Sequence, residues 1–160
     1  FMRLCAIVTA FDIPPRGIVC DVPAWMYQQF EDRVTQIAVG EFLALLVGFR
    51  HFAALFQNGS HIVYTDNMSV LCSIVSGTSR ARDLCAIAFA IQLFMSRANS
   101  AFWFEWVQSS SNIADGGSRV GVDDPVARAC GIQLSSVLMP ALPHGFPFAL
   151  PDAWDSFWLH

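Results

Sequence analysis

The chain contains no lysine, and all nine of its basic residues are arginine. Arginine suits bidentate contacts to phosphate, although the absence of lysine alone fits coding bias as well. Charge of either sign is scarce, at 14% of residues, and the net charge is −4. No global basic field therefore announces nucleic-acid binding. The five cysteines (Cys5, Cys20, Cys72, Cys85, Cys130) include no CxxC pair, so zinc-ligand spacing is absent. An odd number scattered through apolar runs reads as reduced, buried thiols of an intracellular protein. No charged start followed by a small-residue cleavage site marks a signal peptide. An uninterrupted lipid-length segment is also missing. The most apolar window, 37–56, carries Glu41, Arg50 and His51, three groups that a span of roughly 20 residues would not hold at lipid depth. A buried helix is the expectation there, with no membrane partner.

What is present is apolar: 54% of 160 residues, ample for the core of one domain and too rich for disorder. Residues 3–11 (RLCAIVTAF) and 17–22 (GIVCDV) read as two strands forming a hairpin around Pro14-Pro15-Arg16-Gly17. Residues 24–33 read as a short helix or extended loop. A long helix over 39–56 is apolar nearly all round and is stopped by Asn58-Gly59. A strand follows at 61–65, then a helical stretch from Asp66-Asn67 to Val75. A second long helix covers 82–97, with Ser79 as its cap. An aromatic strand covers 101–107, where Trp103, Phe104 and Trp106 are expected to pack in the sheet and core. Ser109 to Asn112 reads as a loop and cap, and 123–130 as a short helix. From 132 to 160 prolines and aromatics gather without a period, so a domain is drawn over 1–131 with a tail or linker after it. The element order predicts an α/β fold whose antiparallel hairpin is followed by parallel strands joined through helices.

Three carboxylates stand at places where ordinary surface acids do not. Glu41 lies near the start of the most apolar helix, Asp66 ends a strand, and Asp115 follows Ser111-Asn112 in a helix's first turn. Strand ends and helix starts gather at one edge of an α/β sheet. Three acids meeting there would form hard oxygen ligands for Mg²⁺ or Mn²⁺. Each also has a plainer role: Glu41 complementing a helix dipole, Asp66 capping a helix, Asp115 completing a capping box with Asn112.

Residues 37–119 resemble the ribonuclease H domain of retroelement reverse transcriptases. The matching pieces are Gly40-Glu41-Phe42-Leu43-Ala44, Tyr64-Thr65-Asp66-Asn67, Ser76-Gly77-Thr78-Ser79 and Asn112-Ile113-Ala114-Asp115-Gly116-Gly117-Ser118-Arg119. The last string is the most specific. The resemblance implies a ribonuclease H-like mixed sheet with helices on its faces, and two divalent metals. It also implies cleavage of the RNA strand of an RNA–DNA hybrid beside a polymerase domain of the same polyprotein. It makes Glu41, Asp66 and Asp115 three of four metal-binding, catalytic carboxylates. The fourth belongs to an opening strand expected before Phe1, and neither Asp12 nor Asp21 is a convincing replacement. Substrate contacts are expected from Asn67, Ser79, Arg80 and Arg119, with Thr78 and Arg82 alongside at a helix start able to hold phosphate. If the opening strand is lacking, the sheet has an open edge and the chain is inactive, whatever its parent does. The competing readings are a non-catalytic module or tether of the same fold, or a decayed retroelement copy. Another nuclease or transposase of this fold class is argued against by the 112–119 string.

Overall fold

A computed structural model describes residues 2–159. It is an α/β fold with a mixed sheet and helices. Strands β1 (Met2–Ala10) and β2 (Ile13–Val22) form the expected antiparallel hairpin, pairing Met2 with Val22 and Val8 with Arg16. The turn falls at Phe11-Asp12 and not at Pro14-Pro15-Arg16-Gly17. The prolines sit inside β2 beside a bulge at Val8/Ala10, where the ladder does not need their missing N–H groups.

Residues 24–29 form a 3₁₀ helix that buries Met26. Helix α1 (Ile37–His51) is the expected apolar helix, shortened at its end. It stops at Phe52, and the 3₁₀ turn Ala53–Phe56 then carries Phe56 against the rings of Phe49, Phe94 and Phe102. Strand β3 (Ser60–Thr65) leads to α2 (Met68–Ser76), α3 (Arg82–Arg97) and β4 (Ala101–Trp106). β3 and β4 pair in parallel, Ser60 opposite Ala101 and Thr65 opposite Trp106, so α2 and α3 form the crossover. Helices α4 (Ile113–Val120) and α5 (Pro125–Ala129) follow.

The stretch expected as a tail or linker from 132 is part of the fold. Strand β5 (Gln133–Val137) pairs in parallel with β2, giving a mixed sheet in the order β1-β2-β5. Helix α6 (Pro151–Leu159) buries Trp154 completely and adds Phe157 and Trp158 to the core. Its Asp155 pairs with Arg97. A polar strand such as QLSSV and a short helix after a proline-rich stretch leave no periodic signal, because their place is set by partners far away in sequence.

One core joins all of this. It centres on α1, whose Phe42, Leu43 and Leu46 are fully buried, each stabilising by roughly 1.5–3 kcal/mol. The α1 and α4 helices pack on opposite faces of β1: a Cβ at Gly48 would meet Ala6, and one at Gly117 would meet Cys5. Alternate residues of a strand point to opposite faces. The same alternation in β4 corrects one expectation. Phe102 and Phe104 pack against the core, whereas Trp103 on the other face is 66% exposed; Trp106, at the strand's end, is exposed although it shares the face of Phe104, and donates to the Asp66 carbonyl. Among the described residues no helix is long and apolar enough to cross a membrane.

Ser79 does not cap α3. The cap position is Ala81, without a side-chain bond, and the helix start is organised by Asp83. This carboxylate is fully buried, pairs with Arg33 at 2.6 Å, and accepts the backbone N–H groups of Glu31 (2.9 Å) and Leu84 (2.8 Å). Burial by itself would raise its pKa. The Arg33 hydrogen bond, both N–H groups and the Arg33 charge outweigh that and hold it below its usual 3.8. A depressed folded pKa means the contribution is complete above the unfolded value and is lost as pH falls through the folded one. Asp83→Ala leaves Arg33 with only Glu31 and Gln36 and strands two backbone N–H groups, and should cost about 3 kcal/mol in urea unfolding at pH 7. The loss should shrink toward pH 3. A change under about 1 kcal/mol at pH 7 would show that the pair does not tie the 31–36 loop to α3.

Candidate active site

Each of the three acids is delivered by the end or the early turns of an element. Glu41 lies in the second turn of α1, past the first turn, which holds no acid, so it does not complement the helix terminus. Asp66 follows β3 but is not the cap of α2. That role belongs to Asn67, whose side-chain oxygen accepts from Ser69 N (3.0 Å) and Val70 N (3.2 Å). Asp115 is in the first turn of α4, and the cap there is Asn112, accepting from Ala114 N at 3.2 Å. The plainer roles of Glu41 and Asp66 thus lie out of reach or are filled by another residue, whereas Asp115 does sit in the first turn beside its cap, although the Asn112 N–H goes to Ser109 O.

Glu41 feels the other two acids. The Glu41 carboxyl is pushed up to about 7, first by burial, then by the negative charge of Asp66 and then by that of Asp115. Glu41 comes from α1 and Asp115 from α4, which cover opposite faces of β1. Neither Glu41 nor Asp66 has a hydrogen bond or ion pair to its side chain among the described residues, so both carboxylates are available to a ligand.

The three do not converge on one point. Among the described residues no group of three acids, histidines or cysteines is close enough to hold an ion. Like charges repel, and Arg119 holds Asp115 with two bonds, Nε to Oδ1 at 3.0 Å and Nη2 to Oδ2 at 2.8 Å. The donor set fits a hard divalent cation in its chemistry: carboxylate oxygens, two of them unpartnered, in a field that positive charge would relieve. The shell would have to draw in from this arrangement to close.

Two glycines let α4 bring Asp115 this close. Glycine inside a helix costs roughly 1 kcal/mol against alanine. Here a Cβ at 117 would stand 2.5 Å from the Cys5 sulfur, and one at 116 would overlap the Asp124 carboxylate. Asp124 is a residue that sequence reasoning missed. It is buried and caps α5 through a 2.6 Å bond from Ala127 N. Together with burial, its charge raises the Cys5 thiol to about 12. The signal was legible in Asp124-Pro125, a cap followed by proline at the first helical position.

The expected substrate residues fare differently. Asn67 stands next to Asp66 but spends its side-chain oxygen as a cap. Arg119 is at the acids through Asp115. Ser79 and Arg80 lie in the turn before α3, and the positive end of that helix is already occupied by the Asp83 carboxylate, which weakens it as a phosphate site. Arg82 sits over the Phe148 ring at 5.8 Å. Asp21 pairs with Arg3 at 2.7 Å, and neither Asp12 nor Asp21 contributes to the field at Glu41. His61 packs between Phe56 and Phe102 as a structural residue.

A carboxyl whose folded pKa is raised from 4.5 to about 7 binds its proton more tightly in the native chain. Its effect on stability is neutral below pH 4.5 and becomes a cost as pH rises through 7. Glu41→Gln should therefore raise the stability at pH 8 by on the order of 1–3 kcal/mol and leave it unchanged at pH 4. Melting curves at the two pH values decide it, and a variant that melts lower at pH 8 would refute the shared field. No family model, curated protein or solved structure matches this chain.

Proposed function

We propose that this chain is a ribonuclease H-like domain that hydrolyses the RNA strand of RNA–DNA hybrids with divalent metal, as part of a retroelement reverse transcriptase polyprotein. The observation that carries the proposal is the buried Glu41 carboxyl of α1, which stands within the fields of Asp66 after β3 and Asp115 on α4. These are the residues that the 37–119 resemblance marks. The element order supports it too: a hairpin, an acid-bearing helix, and two parallel strands joined through helices. Among the described residues β1 pairs only with β2, and β3 only with β4. An upstream strand carrying a fourth acid would thus find backbone groups to bond on either side.

Bound Mg²⁺ or Mn²⁺ would supply charge neutralisation for the scissile phosphate and a polarised water. Glu41, Asp66 and Asp115 would hold it through oxygen. Arg119, already at Asp115, would find in a phosphate an alternative partner of the same geometry. A non-catalytic module of the same fold is the second reading. The open spacing of the acids and the bidentate hold of Arg119 on Asp115 favour it.

A labelled RNA–DNA hybrid with Mg²⁺ distinguishes the two. The chain is compared with a form extended upstream by about one strand, and with Asp66→Asn in each. Cleavage by the extended form, reduced at least about 100-fold by Asp66→Asn, is expected of a metal site that has lost a ligand. In the same samples Mg²⁺ should raise the melting temperature of the wild-type chain and not of the variant. Folded protein of both lengths that neither cleaves nor responds to Mg²⁺ would leave the non-catalytic module.

A further inference from the structure

The acids occupy the first half of α1, and its other end carries a second constellation. His51 is ten positions beyond Glu41 (51 − 41) on the same helix, roughly 15 Å along the axis at 1.5 Å per residue. There a cavity of about 370 Å³ opens between the end of α1, the 3₁₀ turn after it, β2 and β5. A smaller one of about 230 Å³ adjoins it and shares His51.

The register explains why the space is open and polar. Gln133 and Ser135 of β5 pair with Arg16 and Ile18 of β2, and paired residues of neighbouring strands point to the same face. Ile18 belongs to the core under α1, so all four point toward that side. An edge strand with apolar residues at 133 and 135 would close the gap. The glutamine and serine leave it lined with hydrogen-bonding groups.

The charge in the cavity is unbalanced. Neither Arg16 nor His51 forms an ion pair among the described residues. Arg16 lies 5.8 Å from the Phe52 ring centre. Cations in the last turn of a helix ordinarily complement its carbonyl end. Arg50 meets that need and is otherwise engaged, donating to the Phe157 carbonyl and lying over its ring at 4.7 Å. Arg16 comes from β2 and has no such role. Arg16 therefore stands in the cleft without a counter-charge, beside the His51 imidazole and the polar side chains of Gln133 and Ser135.

We infer that this cavity binds a phosphate-bearing small molecule, with Arg16 and His51 on the phosphate, and Gln133 and Ser135 donating from β5. A guanidinium, an imidazole, an amide and a hydroxyl offer more donors than the two oxygens of a carboxylate use, and a tetrahedral oxyanion accepts them from several directions. The volume lies within the range of small-molecule sites, about 300–1,000 Å³. Phe52 and Leu55 give an apolar wall for the organic part. Burial, and then the Arg16 charge, hold the His51 pKa below its usual value, a strain that an oxyanion between the two would relieve.

The test uses the whole chain without divalent metal, followed by NMR of the His51 ring and the Ser135 amide. Phenyl phosphate is titrated, then inorganic phosphate, benzoate and a short single-stranded oligonucleotide. Phenyl phosphate should give saturable shifts, with inorganic phosphate weaker at the same signals. Arg16→Gln, at an exposed position, should weaken it about tenfold, the worth of one charge-assisted contact, while Arg128→Gln changes nothing. Shifts that never saturate, or saturable binding that Arg16→Gln leaves intact, would overturn the site. So would benzoate binding as tightly as phenyl phosphate. Saturation by the oligonucleotide alone would overturn it too, and would make the cleft a nucleic-acid contact. Cleavage enters none of these readings, so the result stands apart from the nuclease assay.

Discussion

Helix α1 has almost no face to give to water. Val39, Phe42, Leu43, Leu46, Val47 and Phe49 are buried along one broad side, Gly48 is buried on the other, and Ala44 and Leu45 are partly buried there, so neighbouring layers must be built on both sides. β1 covers one side, α3 and α2 another, and α6 meets its end where Arg50 joins Phe157. Apolar burial is non-directional, which is why one helix can collect partners from both ends of the chain into one core.

The same burial sets the chemistry at the two places where α1 carries charge. Near its start, Glu41 is partly removed from water and stands near Asp66 and Asp115, so its proton is held up to about neutral pH. Near its end, Arg50 is consumed in fixing α6 while His51 stays at a cleft with Arg16. Desolvation strengthens whatever charge interactions remain. A helix wrapped on all sides thus concentrates its electrostatic consequences at its ends, one negative and one positive.

The rest of the carboxylate site depends on contacts closer than ordinary side chains permit. Gly116 and Gly117 let α4 press on Asp124 and Cys5, and that approach brings Asp115 within the field of Glu41. Arg119 then holds Asp115 from the outside. Aligned acids without a counter-charge repel, so the arrangement is one that opposite charge, from Arg119 or a cation, must balance.

Local periodicity made much of this legible. The alternation of β1, the unbroken apolar run of α1, the cap Asn112 and the strand-end position of Asp66 are written in short stretches of chain, because backbone geometry imposes periods of 2 and 3.6 on neighbouring residues. The sequence by itself also singled out Glu41, Asp66 and Asp115. It did not reveal that Gln133–Val137 is a strand, that Trp154 is core, or that Trp103 faces outward while Phe104 faces in. It missed the buried pairing of Asp83 with Arg33, the place of Asp124 against Gly116, and the cleft where Arg16 meets His51. Each of these joins residues far apart along the chain, 50 positions for Arg33 and Asp83. Their environment arises only when α1 gathers its partners. A residue's period belongs to its neighbours in sequence, whereas its burial, charge partners and exposed face belong to its neighbours in space, and those the tertiary structure alone decided.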